Sequence, residues 1–221
     1  MAEAVHPMKL ASLLLQYPSP ELRGAAVAAR ELEITPARGQ QAARLHEFCG
    51  WYAGRAVPDL QARYVDAFDF SKQCSLHLTY HVHGDRRQRG LALLALKERY
   101  RAAGFDPPGN ELPDYLPLML EFAALASPPA GASLLEEHRV AIELVRAGLQ
   151  RDDSPFEPVL DAVVAGLGRL SSAKLARIRR LAKEGPPAEE VGLEPFAPPE
   201  VMPGDGGDIA LPLVGGREPQ R

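Results

Sequence analysis

The placement of proline constrains this chain more than any other feature, because prolines stand directly before stretches whose apolar residues recur at helical spacing. Ser19-Pro20 reads as an N-cap followed by a proline at the first helical position, where the missing N–H costs nothing. That pattern predicts a helix to about Leu32, preceded by one over Lys9 to Leu15 that stops at Tyr17-Pro18. Thr35-Pro36 repeats the device and predicts a longer helix through Leu45, Phe48 and Trp51, whose three-residue spacing puts them on one face. Asp59 opens a helix through Tyr64 and Phe68, and Asp85 reads as the N-cap of one over Arg86 to Ala103 that Gly104 ends. Asp106 to Leu112 is a loop, and Pro113 begins a helix through Leu116, Leu120 and Leu125, up to a break at Ser127 to Gly131. Further helices are expected over Ser133 to Leu149, Phe156 to Leu167 and Ser172 to Glu184. No alternating run is long enough to seed a sheet, so the expected fold is all-α.

A chain of 221 residues with 46% hydrophobic and 24% charged residues can bury one sizeable core, so a single helical domain over residues 1–184 is expected. After it the composition changes. Pro and Gly make up fifteen of residues 185–221, too little apolar surface to offset the entropy of ordering, which predicts a flexible tail. Within it, Leu193 to Phe196 and Ile209 to Val214 are expected at most to dock transiently. A net charge of −4 argues against nucleic acid as a partner. The two cysteines, Cys49 and Cys74, suit a reducing compartment, and there is neither a signal-peptide pattern at the N-terminus nor a membrane-length apolar run. The expected location is the cytoplasm, without membrane insertion.

Rare side chains gather between Tyr64 and Phe122. Three of six histidines (His77, His81, His83), Cys74 and four of six tyrosines (Tyr64, Tyr80, Tyr100, Tyr115) lie there. On one continuous helix Cys74, His77 and His81 would share a face, with donors suited to zinc, and His83 and Gly84 would lie past a helix break. The stretch nonetheless lacks the glutamate of an H-E-x-x-H site and a further Cys/His pair, so packing or hydrogen-bonding histidines are the favoured reading and no metal or other cofactor is expected. No nucleophile elbow, phosphate loop, dinucleotide glycine fingerprint or C-x-x-C occurs, which leaves an enzyme reading unsupported.

Four blocks in this order carry a resemblance: Tyr64-Val-Asp-Ala-Phe-Asp-Phe, Ser75-Leu-His-Leu-Thr-Tyr, His83-Gly-Asp-Arg-Arg-Gln-Arg-Gly, and Glu111-Leu-Pro-Asp-Tyr-Leu-Pro-Leu-Met-Leu-Glu-Phe. Together they closely resemble the NarJ branch of the TorD-like chaperones, also called the nitrate reductase delta subunit or molybdenum cofactor assembly chaperone, over roughly Met8 to Glu184. The resemblance implies a single-domain all-helical cytoplasmic chaperone. It would bind the N-terminal segment of the nitrate reductase catalytic (alpha) subunit, keep the apoenzyme competent for molybdenum cofactor insertion and deter premature membrane docking, with cofactor-insertion proteins as further partners. The wider family places an E-P-x-D-H loop beside its peptide groove. Here Asp114 matches the aspartate and Tyr115 replaces the histidine.

A basic, amphipathic peptide would lay its apolar face in a groove between helices and set its cations against acids at the rim. Tyr64, Phe68, Tyr80, Tyr115 and Phe122 are candidates for the apolar surface, and Asp66, Asp69, Asp114 and Glu121 for the charge. His77 and His81 are expected to support the groove through hydrogen bonds, and His81 to add pH sensitivity. The competing readings are core packing for each aromatic and an N-cap or first-turn role for Asp114. A metal-dependent helical enzyme using Cys74, His77 and His81, and a generic helical interaction scaffold, are the alternative functions.

Overall fold

The computed structural model describes residues 4–84, 87–107, 111–127, 129–168 and 170–184. The expectations for Asp85 as a cap and for a flexible tail over 185–221 lie outside the described residues. Those residues form eleven α-helices: α1 (Pro7–Leu14), α2 (Pro20–Ala29), α3 (Gln41–Ala53), α4 (Val57–Phe68), α5 (Leu78–His83), α6 (Arg87–Ala102), α7 (Leu116–Leu125), α8 (Ala130–Glu137), α9 (Arg139–Arg151), α10 (Glu157–Gly166) and α11 (Ser172–Glu184). A 3-10 turn, Lys72–Cys74, separates α4 from α5. Two strands of two residues, β1 (Ala4–Val5) and β2 (Glu33–Ile34), pair in parallel. The all-α expectation holds.

Local chemistry explains some of the helix ends. Ser19 Oγ accepts the amide of Leu22 at 3.2 Å, with Pro20 at the start of α2, as the sequence pattern requires. Gly104 follows α6 at φ +70°, a conformation that suits a residue without Cβ. Thr35-Pro36 does not start a helix. The Thr35 amide donates to Val5 O at 3.1 Å, which extends the β1–β2 pairing, and Thr35-Pro36 is a cis bond. The turn that follows is held by Gln41 Oε1, which accepts the Arg38 amide, so α3 begins only at Gln41. The helix expected over Ser133 to Leu149 is two, broken at His138, whose Nδ1 donates to Leu134 O at 3.0 Å.

The core is built on α7, of which Leu116, Leu118, Met119, Leu120 and Phe122 are all buried. α1 lies against it, and Ser12 Oγ donates to Pro117 O at 2.7 Å across that contact. α3 and α10 pack together and close one end with an aromatic cluster: Phe156 lies 5.5 Å from Phe48, 5.8 Å from Tyr64 and 5.1 Å from Phe68, measured between ring centroids. A second cluster joins Phe122, Tyr100 and Phe105 at 4.9–5.5 Å. On α9 the buried Arg139 and Glu143 pair at 3.0 Å, and Arg146 links Glu143 to Asp161 of α10, so the charges taken from water are paired. No helix among the described residues is long and apolar enough to cross a membrane.

Candidate functional site

Pro113 does not begin a helix either, and the reason defines the site. Segment 114–116 runs antiparallel to 76–78: the Leu78 amide donates to Asp114 O at 3.0 Å and the Leu116 amide to Leu76 O at 2.8 Å. The pairing holds Tyr115 in an extended conformation, so α7 starts only at Leu116, whose amide has no partner within the helix and is the one given to Leu76, with Pro117 in the first turn. Pro113 O is held from below by the Tyr100 hydroxyl at 2.7 Å.

The pairing drives the Asp114 carboxylate inward, where it is 0% exposed. Thr79 donates to its Oδ2 twice, from the backbone amide at 3.1 Å and from Oγ1 at 2.5 Å. The acid of one segment therefore caps the first turn of α5, whose own N-cap residue, His77, makes no side-chain cap. His77 Nδ1 lies 3.2 Å from Oδ1, and Arg89 Nη2 lies 3.7 Å from Oδ2 while its Nε donates to Thr79 Oγ1 at 3.3 Å. Burial alone would raise the Asp114 pKa, but the hydrogen bonds from His77 and Thr79 and the nearby Arg89 outweigh it, and the carboxyl is held below its ordinary value. An ionised Asp114 can only accept, so His77 Nδ1 carries the proton.

Over this buried hub lies an open cleft of about 310 Å3, lined by Phe68, Asp69, Ser71, Lys72, Ser75, His77, Tyr80 and Arg89. The Arg89 guanidinium stands 5.8 Å from the Tyr80 ring centroid, and the His77 and Tyr115 rings are 5.4 Å apart. Tyr64 donates to Leu15 O at 3.1 Å, so the 3.2 Å contact between the two phenols has Tyr115 as donor. Beside the cleft Phe70 is 79% exposed. The floor is thus hydrogen-bonded, and the rim offers one acid, two cations and exposed aromatic surface.

Of the residues singled out from sequence, Phe68, Asp69, His77 and Tyr80 line this cleft, and Asp114 and Tyr115 support it from beneath. Asp114 is not a rim charge. Tyr64 belongs mainly to the aromatic core. Phe122 is fully buried against Tyr100 and Phe105. Glu121 pairs with Lys9 where α7 meets α1, and Asp66 lines a different depression with Arg63, Cys74 and Asp152. His81 is buried and donates from Nε2 to Ser75 O at 2.7 Å; burial pushes its pKa down despite that bond and the charge of Asp114. Cys74, His77 and His81 do not share a helix face, since Cys74 ends the 3-10 turn and His77 precedes α5. His83 is the last residue of α5 rather than beyond it, with Gly84 following at φ +58°. Sequence reasoning missed Phe70, Lys72, Thr79 and Arg89. The last two stand inside quoted blocks, SLHLTY and HGDRRQRG, but only the fold brings those blocks together.

The fold and this block pattern define a class. Residues 31–161 match the family model described as nitrate reductase delta subunit, and the chain belongs to that family. It is 36% identical over 156 residues to the probable nitrate reductase molybdenum cofactor assembly chaperone NarJ of Bacillus subtilis, which spans 71% of this chain and 85% of that protein. It is 35% identical over 106 residues to the nitrate reductase molybdenum cofactor assembly chaperone NarJ of Escherichia coli K12, 48% of this chain and 45% of that one. A stretch of 118 residues is 40% identical to the nitrate reductase-like protein NarX of Mycobacterium tuberculosis H37Rv, 50% of this chain but 18% of NarX.

Proposed function

We propose that this chain is a non-enzymatic assembly chaperone for a nitrate reductase. It binds the N-terminal segment of the catalytic subunit at the cleft over Asp114 and keeps the apoenzyme open for molybdenum cofactor insertion. The family membership and the names of the relatives support the chaperone role. The observation that carries the location is the cleft itself: the exposed Phe70 and the half-buried Tyr80 offer aromatic surface, with the edge of the buried Phe68 behind them, over a floor fixed by the Asp114 hydrogen bonds. Such a surface receives the apolar face of a short helix or extended segment, and a rigid floor lowers the ordering cost on the chaperone's side. Asp69 supplies an acid for a basic residue of the peptide, whereas Lys72 suits a peptide carboxylate or carbonyl.

Titration calorimetry of the full chain with a peptide of the catalytic subunit's first residues tests this. Binding is expected for the wild type and should weaken by at least about tenfold for Tyr80→Ala, the loss of one good aromatic contact, while Glu121→Ala binds as the wild type does. Equal binding by the wild type and the Tyr80 variant would move the site elsewhere. No binding of the peptide, with capture of the whole catalytic subunit retained, would favour a general helical scaffold.

A further inference from the structure

Helix α6 presents a face that no element among the described residues covers. Leu96 and Tyr100 are buried, and on the opposite side Arg87, Leu91, Leu94, Glu98 and Arg101 follow one another at intervals of four and three residues, the seam spacing of paired helices. All five are exposed; Leu91 is 67% and Leu94 52% accessible, a high value for two leucines one turn apart. Gly90 lies alongside with open space where a Cβ would stand, and Ala95 is also exposed.

We infer that this stripe is a self-association surface whose occupant is α6 of a second copy of the chain, packed antiparallel across a two-fold axis. The stripe is self-complementary. When Leu91 of one copy meets Leu94 of the other, Arg87, four residues before Leu91, meets Glu98, four residues after Leu94. The two-fold repeats both contacts. Within one chain Arg87 and Glu98 are eleven residues apart, about 16 Å along a helix, and cannot pair with each other. A foreign partner would give no reason for opposite charges at mirror-related positions around two leucines. One helix pair buries less than the roughly 1,200 Å2 of a stable interface, so the dimer is weak and concentration-dependent.

Sedimentation velocity of the full chain over a wide concentration range tests the pairing. The wild type is expected to shift from monomer towards dimer. Leu94→Asp should abolish the shift, with an unchanged circular dichroism spectrum because the side chain faces solvent. Arg87→Glu should weaken dimerisation by at least about tenfold, since it sets like charges opposite each other. The double variant R87E/E98R should restore it. A wild type that stays monomeric at every concentration, or a double variant no better than Arg87→Glu, overturns the inference. So does a monomer that needs Leu91 and Leu94 to capture the catalytic subunit, which would give the face to the client.

Discussion

Helices α6 and α7 each contain four leucines, yet α7 buries most of its length in ten residues while α6, with sixteen, buries only Leu96 and Tyr100. The difference lies in what surrounds the leucines. α7 carries one charge, Glu121, and that is paired with Lys9 of the helix beside it; α6 interleaves its leucines with Arg87, Arg89, Lys97, Glu98, Arg99 and Arg101, which must stay near water or find partners. α7 is therefore an axle and α6 an outer strut. The cleft forms where the loop leading into the axle pairs with the start of α5, and Arg89 of the strut reaches in to close the hub. An interaction site placed there joins the buried axle to an exposed helix.

If that contrast is right, truncations on the two helices differ greatly. Phe122→Ala should cost about 3–5 kcal/mol, the range for emptying a large buried aromatic site, whereas Leu94→Ala should stay within about 0.5 kcal/mol. Chemical denaturation of both variants checks this, and similar losses would erase the distinction. Asp114→Ala comes next, at about 1–3 kcal/mol, because it strands the buried amide of Thr79. Asp114→Asn, which keeps an acceptor, should cost less. The denaturation midpoints of the pair separate lost capping from lost volume.

Acid should weaken the hub before it discharges Asp114. The folded-state pKa of His81 lies below its ordinary 6.5, so the unfolded chain takes up the proton first. Stability from His81 is complete above pH 6.5 and declines as pH falls below it. Asp114, depressed below 3.8, contributes above that value and its share is lost only as pH falls through its lower folded pKa. Melting temperature against pH should thus slope downward below 6.5, and His81→Gln should remove part of that slope without altering the region near Asp114's titration. An unchanged slope would mean that other groups carry it. The smallest effect expected is for Cys74→Ser: the buried thiol makes only weak polar contacts, such as that to Asp152 Oδ2 at 3.9 Å, which a hydroxyl can also make, so a loss under about 1 kcal/mol in the denaturation midpoint follows.

Helices were legible where propensity and packing agree. α11 runs over Ser172–Glu184 as its spacing indicates, and α2 starts at Pro20 behind its serine cap. The two misplaced helix starts, Thr35-Pro36 and Pro113, share a cause. Each looked like a helix start by local chemistry, but each segment is taken by a distant backbone partner, β1 in one case and residues 76–78 in the other. The same long-range pairing explains the partial reading of the site. Asp114, His77 and Tyr80 stood out by residue type, whereas the burial of Asp114 and the roles of Thr79 and Arg89 depend on a contact between segments some 37 residues apart, which no local period encodes.

Hydrogen–deuterium exchange of the full chain with and without the catalytic subunit's N-terminal peptide tests the position of the docking cleft most directly. Added protection is predicted in residues 68–80, at the end of α4, the 3-10 turn and the start of α5, with little change in residues 118–125 of the already buried α7. Protection concentrated instead where α1 meets α7 around Lys9 and Glu121, with residues 68–80 unchanged, would contradict it.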